Sequence, residues 1–182
     1  MKTLGEEYLD TVIRRVKYYK ELAEKTFDQL NDKDMHFQPN AESNSIAIIV
    51  RHIAGNMLSR WTNFLTEDGE KKWRQRDDEF EVHNLSKQEI IDYWQKGWDC
   101  FLDSLVSLKE DDLLKTVYIR DEALTAVDAI NRQLAHYPHH IGQILYIGKI
   151  IKNDQWKTLS IPRGKSQSYN QSADIKDPAK KY

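Results

Sequence analysis

The chain has a single cysteine, Cys100, so no internal disulfide can form. Its place beside Phe101 in a helical pattern marks it as a small core residue rather than a nucleophile. No apolar run approaches the roughly 18 residues of a membrane span. Met1-Lys2-Thr3-Leu4-Gly5-Glu6-Glu7 leads straight into a charged amphipathic pattern and lacks the apolar core of a signal peptide. Neither sign of charge dominates, with 27 basic side chains against 29 acidic ones. The densest basic cluster (Lys71, Lys72, Arg74, Arg76) is interleaved with Glu70, Asp77, Asp78, Glu79 and Glu81, which argues against nucleic acid as a partner. There is no internal repeat. Gly164-Lys165-Ser166 is no P-loop, because Leu159 stands where the first glycine is needed. Together these absences predict a cytoplasmic protein in reducing surroundings, bound to neither membrane nor nucleic acid.

At 182 residues and 40% hydrophobic, the chain can bury a full core in one domain. Four apolar series step by three and four. Thr3-x-x-Glu6 has the form of a capping box before Leu9, Val12, Val16, Tyr19, Ala23, Phe27 and Leu30. From Ser45 the series Ile46, Ile49, Ile53, Met57, Trp61 and Phe64 predicts a second helix to about Leu65. Ser86-x-x-Glu89 opens a third helix along Ile91, Trp94, Trp98, Phe101, Leu105 and Leu108. Thr125 opens the fourth, along Val127, Ile130, Leu134, Tyr137, Ile141, Ile144 and Ile151. Four such patterns predict an all-α antiparallel four-helix bundle. It is expected to span residues 1–166, with 167–182 as a flexible polar tail. Thr66 to Glu81 reads as an ordered surface connection pinned by Trp73 and Phe80, and Val117-Tyr118-Ile119 as a short extended piece.

The histidines carry the functional signal. His136 and His140 lie four apart on the fourth pattern and project from one helix face, close enough for both imidazoles to reach one ion. His52, on the flank of the second stripe beside Ile53, is the candidate third ligand. Each of the three immediately precedes a core position, so two helices carry matching polar seams that also hold Asn56, Arg132 and Gln143. Pro138 lies between two of the histidines and removes one helical hydrogen bond there. His36, His83 and His139 fall outside the seams. Three imidazoles leave coordination positions open, the form of a catalytic site. Imidazole suits Zn, Ni and Fe among divalent ions. Arg132 beside such an ion needs a compensating anion, from either a protein carboxylate or a small-molecule substrate.

Several stretches together resemble the DinB/YfiT-like superfamily. They are Ser45-Ile46 with His52-Ile53-Ala54-Gly55-Asn56, then Asp68-Gly69-Glu70 with Trp73-Arg74 and Glu79-Phe80. Arg132 to His136 with His140 to Gln143, and Ser160 to Ser166, complete the set. The similarity is to a bacterial branch without an established activity. What it implies is a four-helix bundle holding a divalent metal through His52, His136 and His140. It further implies relatives that are metal-dependent transferases or isomerases of a low-molecular-weight thiol, and frequent homodimers. On that footing Arg132 and Arg163 are the candidate holders of a substrate's carboxylates, with Asn56 and Gln143 as further substrate contacts. A metal-dependent hydrolase and a non-enzymatic metal-binding or stress protein stand as alternatives. The absence of an acidic residue on either seam disfavours the hydrolase, which needs a general base.

Overall fold

The computed structural model describes residues 1–182 as a mostly helical fold with one small antiparallel hairpin. Its four long helices are α1 (Leu4–Phe27), α3 (Ile46–Trp61), α4 (Lys87–Ser107) and α5 (Ala126–Lys152), with short α2 (Asp32–Met35) and α6 (Ser166–Gln171). Side-chain caps start them where expected. Thr3 and Ser86 form reciprocal capping boxes with Glu6 and Glu89, while Ser45 and Thr125 accept from Ile48 N and Asp128 N. Each such cap contributes about 1 kcal/mol by satisfying a helix-end donor. The stripes converge on one core in which Trp94, Trp98, Phe101, Tyr137 and Ile53 are at most 1% exposed.

Contact registers give the helix directions. Tyr8 of α1 reaches Val127 and Asn131 of α5, and Thr26 lies beside Gly148, so these two helices run the same way. Ala54 touches Gly97, and Trp61 stacks on Phe101, so α3 and α4 also run together. Across the pairs the sense reverses. Lys20 reaches Gln95 while Gly5 reaches Glu110, and His52 meets His140 while Trp61 meets Tyr137. The expected fully antiparallel order is therefore corrected. The connection from Thr62 to Ser86 carries the chain back along α3, so that α4 starts at the same end. A Cβ on Gly97 would stand 2.8 Å from the Ala54 Cα, so this parallel pair closes only because residue 97 has no side chain.

Three local expectations change. The second long helix ends at Trp61, where Thr62 turns extended and Asn63 takes φ 51°. Strand β1 (Thr116–Ile119) contains the expected extended piece, and β2 (Glu122–Thr125) pairs with it. The turn between them places Arg120 and Asp121 at φ 58° and 62°, a primed turn suited to the strands' twist. Of the two residues expected to pin the long connection, Trp73 is 55% exposed while Phe80 packs on His52, and charged side chains supply the remaining anchors. Of residues 167–182, expected as a free tail, the stretch from Asp177 to Lys181 lies along α1. Arg15 pairs with Asp177 through two 2.6 Å hydrogen bonds, Lys181 binds Glu21 at 2.6 Å, and Ala179 is buried. Composition does not reveal this docking, since it rests on charge partners supplied by α1.

Candidate metal centre

α3 and α5 cross at the histidine seam. His52 is 6% exposed, and its Nε2 lies 3.4 Å from His136 Nε2, which is 3.1 Å from His140 Nε2. All three donor atoms fall within 4.8 Å of one another, an arrangement able to hold a metal ion. α5 continues unbroken through Pro138, so the proline leaves the four-residue spacing effective.

Hydrogen bonds on the opposite nitrogens define what the convergence means. His52 Nδ1–H donates to Glu79 Oε2 at 3.0 Å, His136 Nδ1–H to Gln133 Oε1 at 3.3 Å, and His140 Nδ1–H to Gln143 Oε1 at 2.9 Å. With the proton held on Nδ1 in each ring, the three Nε2 atoms face one another as lone pairs. Two lone pairs cannot bond each other, so together the three Nε2 atoms form a set of donors able to hold an electron-poor centre such as a metal ion. The spacing matches one. Two nitrogens each about 2.1 Å from a shared ion, at roughly 90–110°, stand about 3.0–3.4 Å apart. Protons do not substitute readily. Burial, then the like charges of His140, His52, His139 and Arg132, push His136 down to about 3. Burial also lowers His140, against the opposing bond from Gln143.

The support reaches beyond the seams. Glu79, from a short 3₁₀ turn at Asp78–Phe80, is 7% exposed. It accepts from His52 and also takes a two-point grip from Arg74, with Nε to Oε1 at 2.8 Å and Nη2 to Oε2 at 2.9 Å. Burial alone would raise its pKa, but the bonds from His52 and Arg74 outweigh that and hold it below the ordinary glutamate value. Gly55 makes room for it, since a Cβ there would collide with Glu79 Oε1. Phe80 covers the His52 ring at a centroid distance of 4.8 Å. Arg51 ties the segment to α3 through Asp78 at 2.6 Å and the Glu81 carbonyl at 3.0 Å.

Against the sequence expectations, His52, His136 and His140 come together, and Gln143 orients His140 as well as lying on the seam. Asn56 lines the neighbouring cavity, yet its Oδ1 accepts from Tyr137 Oη at 3.0 Å, and that hydroxyl in turn accepts from Trp61 Nε1. Arg132 is exposed at the rim of that cavity, outside every ion pair, so the protein supplies it no carboxylate. Arg163 is not at the site. α5 runs on for about 18 Å beyond His140, and Arg163 lines a separate cavity with Tyr18 and Lys149. His36 bonds the Leu85 carbonyl and His83 bonds Asp78, both apart from the centre. The sequence reading missed Glu79, Arg74 and Gln133. Gln133 was legible as the residue three before His136, but Glu79 reaches His52 only through the folded connection.

The fold and site together define a mostly helical protein with a three-histidine cluster able to hold a metal. The chain belongs to the family described as "Protein of unknown function (DUF1572)", whose model matches residues 3–165. No curated protein and no solved structure matches it. No helix is long and apolar enough to cross a membrane.

Proposed function

We propose that this protein binds one divalent metal ion through His52, His136 and His140, on a four-helix bundle of the DinB-like kind, and uses it to activate a low-molecular-weight thiol for transfer to an electrophile. The observation that carries this reading is the convergence of three Nε2 atoms whose Nδ1 partners are all satisfied. The ion would supply Lewis acidity that holds a bound thiol in its thiolate form. Every other contribution comes from the chain. Glu79, locked by Arg74, fixes the His52 ring; Gln133 and Gln143 fix the other two; Phe80 shields the first from water. Three protein ligands leave room for substrate, whereas a structural zinc site is closed by four.

The thiol reading is preferred over hydrolysis on one observation. Glu79 is the only carboxylate contacting the three histidines, and both its oxygens are committed to Arg74 and His52 on the side away from the Nε2 atoms, so it is not free to take a proton from water. A protein that binds metal without turnover stands as the third reading. Metal analysis of untagged protein tests the first claim, with one equivalent expected, and a matrix of small thiols against generic electrophiles tests the second. Protein that takes up no Zn, Ni or Fe overturns the whole reading. Metal-loaded protein without thiol turnover leaves the hydrolase and the non-enzymatic binder, which an ester-hydrolysis assay separates.

A further inference from the structure

Beside the histidines, a cavity of about 230 Å³ is lined by nine residues, none of them apolar. Five are arginines: Arg60 from α3, Arg74 and Arg76 from the long connection, Arg120 from the hairpin turn and Arg132 from α5. His52 and His136 form its inner wall. Like charges gathered from four separate elements repel one another, and the chain compensates them only in part. Glu79 takes Arg74, and Glu70 accepts from both Arg60 and Arg120 at 2.9–3.2 Å. Asp68 is nearby, but its oxygens accept from the backbone N–H groups of Glu70, Arg120 and Asp121. Arg76 only covers the Phe80 ring, at 5.5 Å, and Arg132 has no partner. Both uncompensated guanidiniums are exposed, as is the paired Arg120, while Arg60 and Arg74 are buried.

We infer that this cavity is the recognition site for a small ligand carrying two or more oxyanion groups, bound against Arg76 and Arg132 with its remaining end toward the histidines. Guanidinium forks match carboxylate and phosphate oxygens in pairs, which a single ammonium does not. The volume corresponds to about eight waters, room for a group of roughly ten non-hydrogen atoms, so a small polyanion fits and a macromolecular one does not. This deepens the proposed function by naming the charge of the substrate, but anion binding here does not require the ion and is measured without it.

Calorimetry on chelator-treated, metal-free protein at low ionic strength, with tricarballylate and with pyrophosphate as probes, tests the inference. Saturable one-site binding is expected. Arg76→Ala and Arg132→Ala should each weaken it about tenfold and the double variant about a hundredfold, with unchanged circular dichroism because both side chains are exposed. Arg14→Ala, on the outer face of α1, should bind like wild type. Preference for tricarballylate assigns a polycarboxylate, and preference for pyrophosphate a ligand with linked phosphoryl groups. Binding of neither anion, or equal binding by the double variant, overturns the inference. Metal uptake measured on the same preparation keeps the two readings apart: protein that takes up metal but neither anion rejects only the arginine cavity, and the reverse rejects only the three-histidine centre.

Discussion

At the scale of the residue, one carboxylate links the three-histidine cluster to the rest of the fold. Glu79→Ala leaves Arg74, whose side chain is 2% exposed, charged and unpaired, and should cost about 3–5 kcal/mol in chemical denaturation. Glu79→Gln keeps the shape and one acceptor for His52. It should fold while lowering metal affinity about 10–100-fold, because the ring loses its charged orienting partner. A Glu79→Gln protein with wild-type affinity would remove Glu79 from the site. The histidines themselves predict a simpler pattern: Ala at 52, 136 or 140 should abolish stoichiometric metal while Ala at 36 or 83 leaves it intact, read by elemental analysis. Tyr137 illustrates a different economy. Its hydroxyl is fully buried between Trp61 Nε1 and Asn56 Oδ1, so Tyr137→Phe strands a donor and an acceptor and should cost about 1–3 kcal/mol in thermal or urea unfolding.

At the scale of the element, the connection between α3 and α4 decides the site. It brings Arg74, Arg76 and Glu79 to α3, and it is fastened at its start by Asp68, which caps the hairpin turn through Arg120 N at 2.9 Å and Asp121 N at 2.8 Å. Burial would raise the Asp68 pKa, but three backbone N–H bonds outweigh it and hold it below 3.8. For Glu70, burial likewise raises, while Arg120 and Arg60 prevail and lower it below 4.5. A carboxyl depressed in the folded state adds stability above its unfolded pKa and loses it as pH falls through the folded value. Exchange protection in residues 68–80 should therefore fade as pH drops below about 4.5, ahead of the helices. Asp68→Asn should flatten that dependence; an unchanged acid profile would show that this fastening contributes nothing. Helix caps were legible in advance because they are local, whereas the reach of this connection was not, since its partners lie on α3 and β1.

At the scale of the whole molecule, self-association can be measured directly. The resemblance carries a homodimer, and the structure limits which residues take part. Trp61 is 2% exposed and bonded to Tyr137, so it cannot contribute, while Trp73 is 55% exposed. Light scattering at high micromolar concentration should give twice the chain's 21.5 kDa, and Trp73→Ser should shift the balance toward monomer. A wild-type monomer at that concentration removes the dimer.

The sequence by itself determined the four long helices, where their caps stand, and that three histidines share two polar seams, because each depends on spacings of three or four residues along one helix. Only the tertiary structure decided that α3 and α4 run parallel, that Glu79 and Arg74 rather than a seam residue hold His52, that Arg163 lies at a different cavity, and that residues 177–181 dock on α1. Those outcomes depend on which charged side chains find partners across the core and along the long connection, and such pairings leave no period in the chain.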